Sequence, residues 1–290
     1  METNDDAIRI LDAAGEAADP PAGFVRRVVV LPVRDEALRV AADVPDRPMR
    51  LAEVVPLVHA IDDRLMAVYL RHAAEQRREI FCRKGCSACC ERFLIIFSPA
   101  EMYYVRERMD SLPADGRRRI EAWLGDKLAA ARRTGLIERL GDLRPGEDAM
   151  DVIERWWRDQ DATACPFLVD GACGIYEHRF VACREYYSHA PATNCARRAT
   201  ARMPIPLNLV NLLWRLEQRL TGRPTGAVSL PFMGMWAELR REEAQQTWPA
   251  VEMVDALLGI LTDTADAARQ LSAGATVDRE EPGPQRGEQT

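Results

Sequence analysis

Cysteine is missing from both ends of this 290-residue chain: none precedes position 82 and none follows position 195. Cysteines used as small core hydrophobes would be scattered, so simple packing does not account for them. Lysine is nearly absent, with only Lys84 and Lys127 among 39 basic residues, a bias of composition rather than of function. The net charge of -6 excludes a broadly basic surface for nucleic acid or anionic membrane. No Gly-rich strand–turn–helix signature for a nucleotide-like cofactor is present. With four histidines, no Ser/His/Asp nucleophile arrangement stands out. The acidic start, residues 1–6, has no apolar h-region and does not read as a signal peptide. The longest apolar runs, such as Val28-Val29-Val30-Leu31 and Phe93-Leu94-Ile95-Ile96-Phe97, are too short to span a bilayer. The expected location is therefore cytoplasmic. In such a reducing compartment clustered cysteines are metal ligands or redox groups, not structural disulfides.

What is there is a dense cluster. Cys82, Cys86, Cys89 and Cys90 fall within nine residues, spaced Cys-x3-Cys-x2-Cys-Cys. Cys165, Cys173, Cys183 and Cys195 follow much later. All eight are candidate metal ligands, as halves of one site or as two adjacent sites. Thiolates select zinc or iron–sulfur clusters. A structural zinc takes four ligands, and so does a [4Fe-4S] cluster. The vicinal pair Cys89-Cys90 directs its side chains apart on any regular backbone, so one of the two can face a second metal. Arg83, Lys84, Arg92, Arg179 and Arg184 lie within a few residues of a cysteine and would stabilise an anionic site. His178 and His189 lie between cysteines of the second half and are secondary candidates. His59 and His72 read as packed or surface residues.

The rest of the chain reads as mainly α, around a small irregular α+β cysteine-rich metal-binding core with a short strand near 93–97 and a hairpin at 166–176. Four segments are expected. Residues 1–48 are variable and partly disordered, with 1–22 poorly ordered and an edge strand at 24–33 marked by Pro32. Residues 49–200 form the cysteine-cluster domain with inserted helices. Residues 201–264 are a helical segment packed on it, and 265–290 a disordered tail. Within the second segment, apolar spacing from Leu51 to Tyr69 predicts a helix over 50–80, kinked near Pro56 and leading straight to Cys82. Ser98, Pro99 and Glu101 predict a capped helix over 99–110. Helices follow at 113–133, stopped by Gly135, and at 147–159, where Trp156 and Trp157 pack the core. Asp170-Gly171 between two apolar runs predicts the hairpin. A short helix should carry Cys183 over 177–186, with a loop over 188–194. Near the C-terminus, Leu209 to Leu220 and Val251 to Leu261 mark two helices, separated by a loop over 221–235. The stretch 161–200 is short of large apolar residues, so metal binding is expected to order it.

One resemblance covers about residues 82–195. The first cluster is followed by Cys165-Pro166-Phe167-Leu168, then Asp170-Gly171-x-Cys173-Gly174-Ile175-Tyr176-Glu177-x-Arg179, Cys183-Arg184, Ser188 and Cys195. This order resembles the YkgJ-type cysteine-cluster family, described as zinc- or iron-chelating domains. The resemblance implies a metal ion or cluster as partner. One departure is Phe180 after Arg179, where the family usually has proline. A flagellin lysine N-methylase resembles the same family through its cysteine cluster, which keeps an iron–sulfur-dependent enzyme open beside a plain metal-binding protein. A redox or metal-handling role is the third option, although the ferredoxin run Cys-x2-Cys-x2-Cys-x3-Cys-Pro is absent.

Overall fold

Alternation decides the first element. In the strand Phe24–Val33, Val29, Leu31 and Val33 are buried while Val28 and Val30 are 40% and 50% exposed. Its partner is the strand Glu36–Pro45, an element that the apolar pattern does not announce. Arg9–Leu11 adds to the other side, so the antiparallel sheet has Glu36–Pro45 at its centre and Phe24–Val33 at an edge, as Pro32 requires. Asp43 on the central strand is buried because the Arg26 guanidinium pairs with it at 2.8 and 3.0 Å. The computed structural model describes residues 7–160, 163–196 and 202–274. Residues 9–17, expected to be poorly ordered, thus carry a strand and the helical turn Ala13–Ala17.

The sheet packs on two long helices. In Val55–Glu75 the residues Val58, Ile61, Leu65, Val68 and Tyr69 are all buried, as their spacing predicts. Pro56 sits in the first turn, where its missing N–H has no intrahelical partner to lose, and it starts the helix rather than kinking it. The helix ends at Glu75, short of the expected 80, and an irregular segment carries the chain to Cys82. The second long helix, Ala250–Gly274, continues past the expected limit at 264. Arg27 of the sheet reaches it through Asp255 at 2.9 Å. Of the tail expected over 265–290, residues 265–274 belong to this helix, and 275–290 lie outside the described residues.

Three inserted helices, Ala114–Arg133, Leu136–Gly141 and Ala149–Arg158, form a satellite core with Phe232. Trp156 and Trp157 are buried there, and their indole N–H groups donate to Thr134 Oγ1 (3.0 Å) and the Arg92 carbonyl (3.1 Å). The second bond ties this satellite to the end of the first cysteine cluster. The expected loop over 221–235 holds a short strand, Val228–Ser229, paired with Ile96–Phe97, and the start of the helix Met233–Leu239. The strand expected over 93–97 is limited to those last two residues. The architecture is therefore mixed α+β and mainly α. One apolar core draws on the N-terminal sheet, the cysteine region and the C-terminal helices together. No helix among the described residues is long and apolar enough to cross a membrane.

Candidate metal centre

The helix Pro99–Asp110 anchors the region, and its start is local chemistry. Ser98 Oγ accepts from the Glu101 N–H, and Glu101 Oε2 accepts in return from the Ser98 N–H and hydroxyl, both at 2.9 Å. The other oxygen, Oε1, accepts from the Val181 N–H at 2.7 Å. One buried carboxyl thus fixes both a helix start and the turn that carries Cys183. Glu101→Ala would leave the buried N–H groups of Ser98 and Val181 without acceptors. We expect a loss of about 2–4 kcal/mol in denaturant unfolding. A loss below about 0.5 kcal/mol would mean that neither bond matters.

The hairpin forms as its Asp-Gly pair dictates. Leu168–Val169 pairs with Ala172–Cys173 across Asp170 (φ 49°) and Gly171 (φ 76°), both left-handed. Gly174 follows, its N–H bonded to the Phe167 carbonyl at 2.8 Å, and a Cβ there would lie 3.1 Å from that same oxygen. The helix expected over 177–186 is a tight turn, Tyr176–His178, followed by the single turn Val181–Arg184. The expected loop over 188–194 gives way to the helix Ala192–Ala196, which holds Cys195.

The two cysteine segments meet. The Cys165 N–H donates to the Cys90 carbonyl at 2.7 Å, Thr163 Oγ1 to the Glu91 carbonyl at 2.6 Å, and the Ser188 N–H to Cys82 Sγ at 3.2 Å. Cys82, Cys86, Cys89, Cys90, Cys165, Cys173 and Cys183 line a single cavity of about 720 Å³. Cys195 is buried beside it, close enough to Cys82, Cys86 and Cys89 to be felt electrostatically. Cys183 feels Cys165, Cys89 and Cys173 in the same way. Cys89 is the thiol common to both groups. All eight thiols are free. Among the described residues no three Cys, His, Asp or Glu side chains converge tightly enough to hold a metal ion. The thiols surround the cavity rather than closing on one point.

Burial raises the pKa of Cys82, Cys165, Cys173, Cys183 and Cys195, because a thiolate in a dry wall is poorly solvated. Cys165 is pushed up to about 12, and Cys183 well above its ordinary value. Cys89 is raised first by its hydrogen bond with Cys90 and then by burial. Such thiols stay protonated unless a cation arrives, so any metal bound here must displace protons. Of the basic residues near cysteines, Arg83 and Arg179 line the cavity. Lys84 is exposed and paired with Glu177 at 2.9 Å. Arg184 turns away to Asp62 and Asp63. The histidines also have other partners. His178 meets the Tyr104 hydroxyl at 2.7 Å, and His189 Nδ1 the Glu79 carbonyl at 3.0 Å. His59 is buried edge-on to the Tyr104 ring.

Two features were not legible. Residues 163–185 are not short of core: Phe167, Ile175, Phe180 and Val181 are buried in the main apolar cluster. Phe180, in the place where the resemblance would put proline, stacks on Phe97 with ring centroids 4.0 Å apart. The premise that this stretch is short of large buried apolar residues is therefore corrected. Second, the cavity extends past the thiols to Phe93, Ile95, Tyr186, Ile205, Val210 and Trp214. Neither family models, curated proteins nor solved structures give a match to this chain.

Proposed function

We propose that this chain binds zinc or an iron–sulfur cluster through Cys82, Cys86, Cys89, Cys90, Cys165, Cys173, Cys183 and Cys195. The observation that carries this reading is that seven of these thiols, from segments 74 residues apart in sequence, line one cavity. Eight unpaired thiols in one small volume suit soft-metal chemistry and a reducing compartment such as the cytoplasm. The order of the motifs supports membership of the YkgJ-type cysteine-cluster family. Arg83 and Arg179 would offset the negative charge that four thiolates leave on a divalent metal. When bound, zinc would supply Lewis acidity, or a cluster electron transfer. The chain's own part is to hold the thiols on two braced segments and to shield them with Phe167, Ile175 and Phe180.

A second reading is an iron–sulfur-dependent enzyme. The cavity's extent favours it, since catalytic metal sites keep an open position whereas structural ones are closed. Protein purified anaerobically is expected to carry zinc or iron near a whole number of equivalents per chain. An iron–sulfur protein would be brown and release acid-labile sulfide, and a zinc protein would be colourless. Elemental analysis showing less than about a tenth of an equivalent of both metals would refute metal binding at a site of this affinity class.

A further inference from the structure

A metal centre cannot occupy the whole cavity. Metal–thiolate bonds are about 2.3 Å long, whereas the cavity, at about 720 Å³, is in the range that holds small organic molecules. Its outer wall is apolar and aromatic, with Phe93 tilted on Tyr186 at 5.1 Å between centroids and Ile205, Val210 and Trp214 nearby. Arg202 lies 4.6 Å over the Tyr186 ring, at an exposed rim shared with Asn208 and Asn211. Apart from the thiols, the charged lining residues are Arg83, Arg179, Arg202 and Glu185, an excess of positive charge. The Arg202 guanidinium is thus an exposed cation at the rim, held over an aromatic face.

Resting on the metal-centre reading, we propose that the outer half of this cavity binds a small carboxylate-bearing molecule with an aromatic-sized apolar body. The body fills the space between Tyr186, Val210 and Trp214, and the carboxylate pairs with the Arg202 guanidinium at the rim. The ligand then sits directly over the thiol wall, which is where a substrate of that centre would sit.

The test uses two probes of equal size and opposite charge, 2-naphthoate and 2-naphthylmethylammonium, titrated calorimetrically into the anaerobically purified full chain. Naphthoate is expected to bind saturably at one per chain, at least about tenfold tighter than the cation. Arg202→Gln removes the rim cation and should weaken naphthoate about 3- to 10-fold without weakening the ammonium probe. Val210→Trp fills the space and should abolish binding. The proposal is overturned by equal affinity for the two probes, by no saturable binding of naphthoate, or by unchanged naphthoate affinity in Arg202→Gln. Metal is measured in the same samples. Naphthoate binding without metal upholds the pocket and removes the metal reading, whereas metal without naphthoate binding does the reverse.

Discussion

Cys89→Ser is expected to weaken metal binding about a hundredfold or more, because it removes the one thiol that both groups share. Cys82 and Cys195 lie in its field on one side, and Cys165, Cys173 and Cys183 on the other. Serine keeps the size but is a far poorer ligand for a soft metal. Metal per chain, measured after desalting against Lys84→Ala as a surface control, should fall to a trace. The fold should not fall with it. Residues 163–185 bury Phe167, Ile175 and Phe180 in the main core, and Glu101 holds the Val181 N–H whether or not metal is present. Hydrogen exchange should therefore keep substantial protection across 163–185 while 82–98 loosens. Full metal content in Cys89→Ser would remove Cys89 as a shared ligand. Loss of protection across both segments together would restore the metal as the source of order.

The difference between what was legible and what was not follows the range of the interactions. The helix Pro99–Asp110 was readable because Ser98, Pro99 and Glu101 settle its start within four residues. The hairpin was readable because Asp-Gly specifies its own turn. The strand Glu36–Pro45 was not readable, since Glu36, Arg39 and Asp43 break its apolar pattern and Asp43 is buried only through Arg26 on the neighbouring strand. The cysteine spacing is the ground for proposing soft-ligand chemistry, and bonds such as Cys165 to Cys90 show that the two segments meet. The rest of the cavity wall comes from Ile205, Val210 and Trp214, on elements with no cysteine and no motif. Phe180 belongs to the same class. The run Phe180-Val181-Ala182 is too short to show a period, and the stacking of Phe180 on Phe97 spans 83 residues of sequence.

Arg184→Ala should produce the largest loss of stability, and its size should depend on pH. The guanidinium is buried against two acids of the helix Val55–Glu75: Nε lies 3.4 Å from Asp62 Oδ2, and Nη2 donates to Asp63 Oδ1 at 2.6 Å. Asp62 has 0% exposure, and neither of its oxygens has a donor in hydrogen-bonding geometry. Its side chain faces Glu185, and burial pushes both carboxyls up from the ordinary range. Asp62 also raises Glu185, while Arg184 supplies the opposing charge that draws Asp62 back down. Removing one partner of a buried ion pair costs about 3–5 kcal/mol, because the remaining charge is left unpaired. The sign of the pH effect follows from the raised carboxyls. A group with a raised folded pKa stabilises fully below its unfolded value and loses that contribution as pH rises through the folded value. Without Arg184 the Asp62 carboxyl rises further, so the penalty should be smaller in mildly acidic solution and grow through neutral to alkaline pH. Denaturant unfolding of Arg184→Ala across that range measures it directly. Adding Asp62→Asn removes the stranded charge and should recover part of the loss at alkaline pH. A penalty that stays constant with pH, or a double variant no more stable than the single one, would show that Arg184 acts by packing alone.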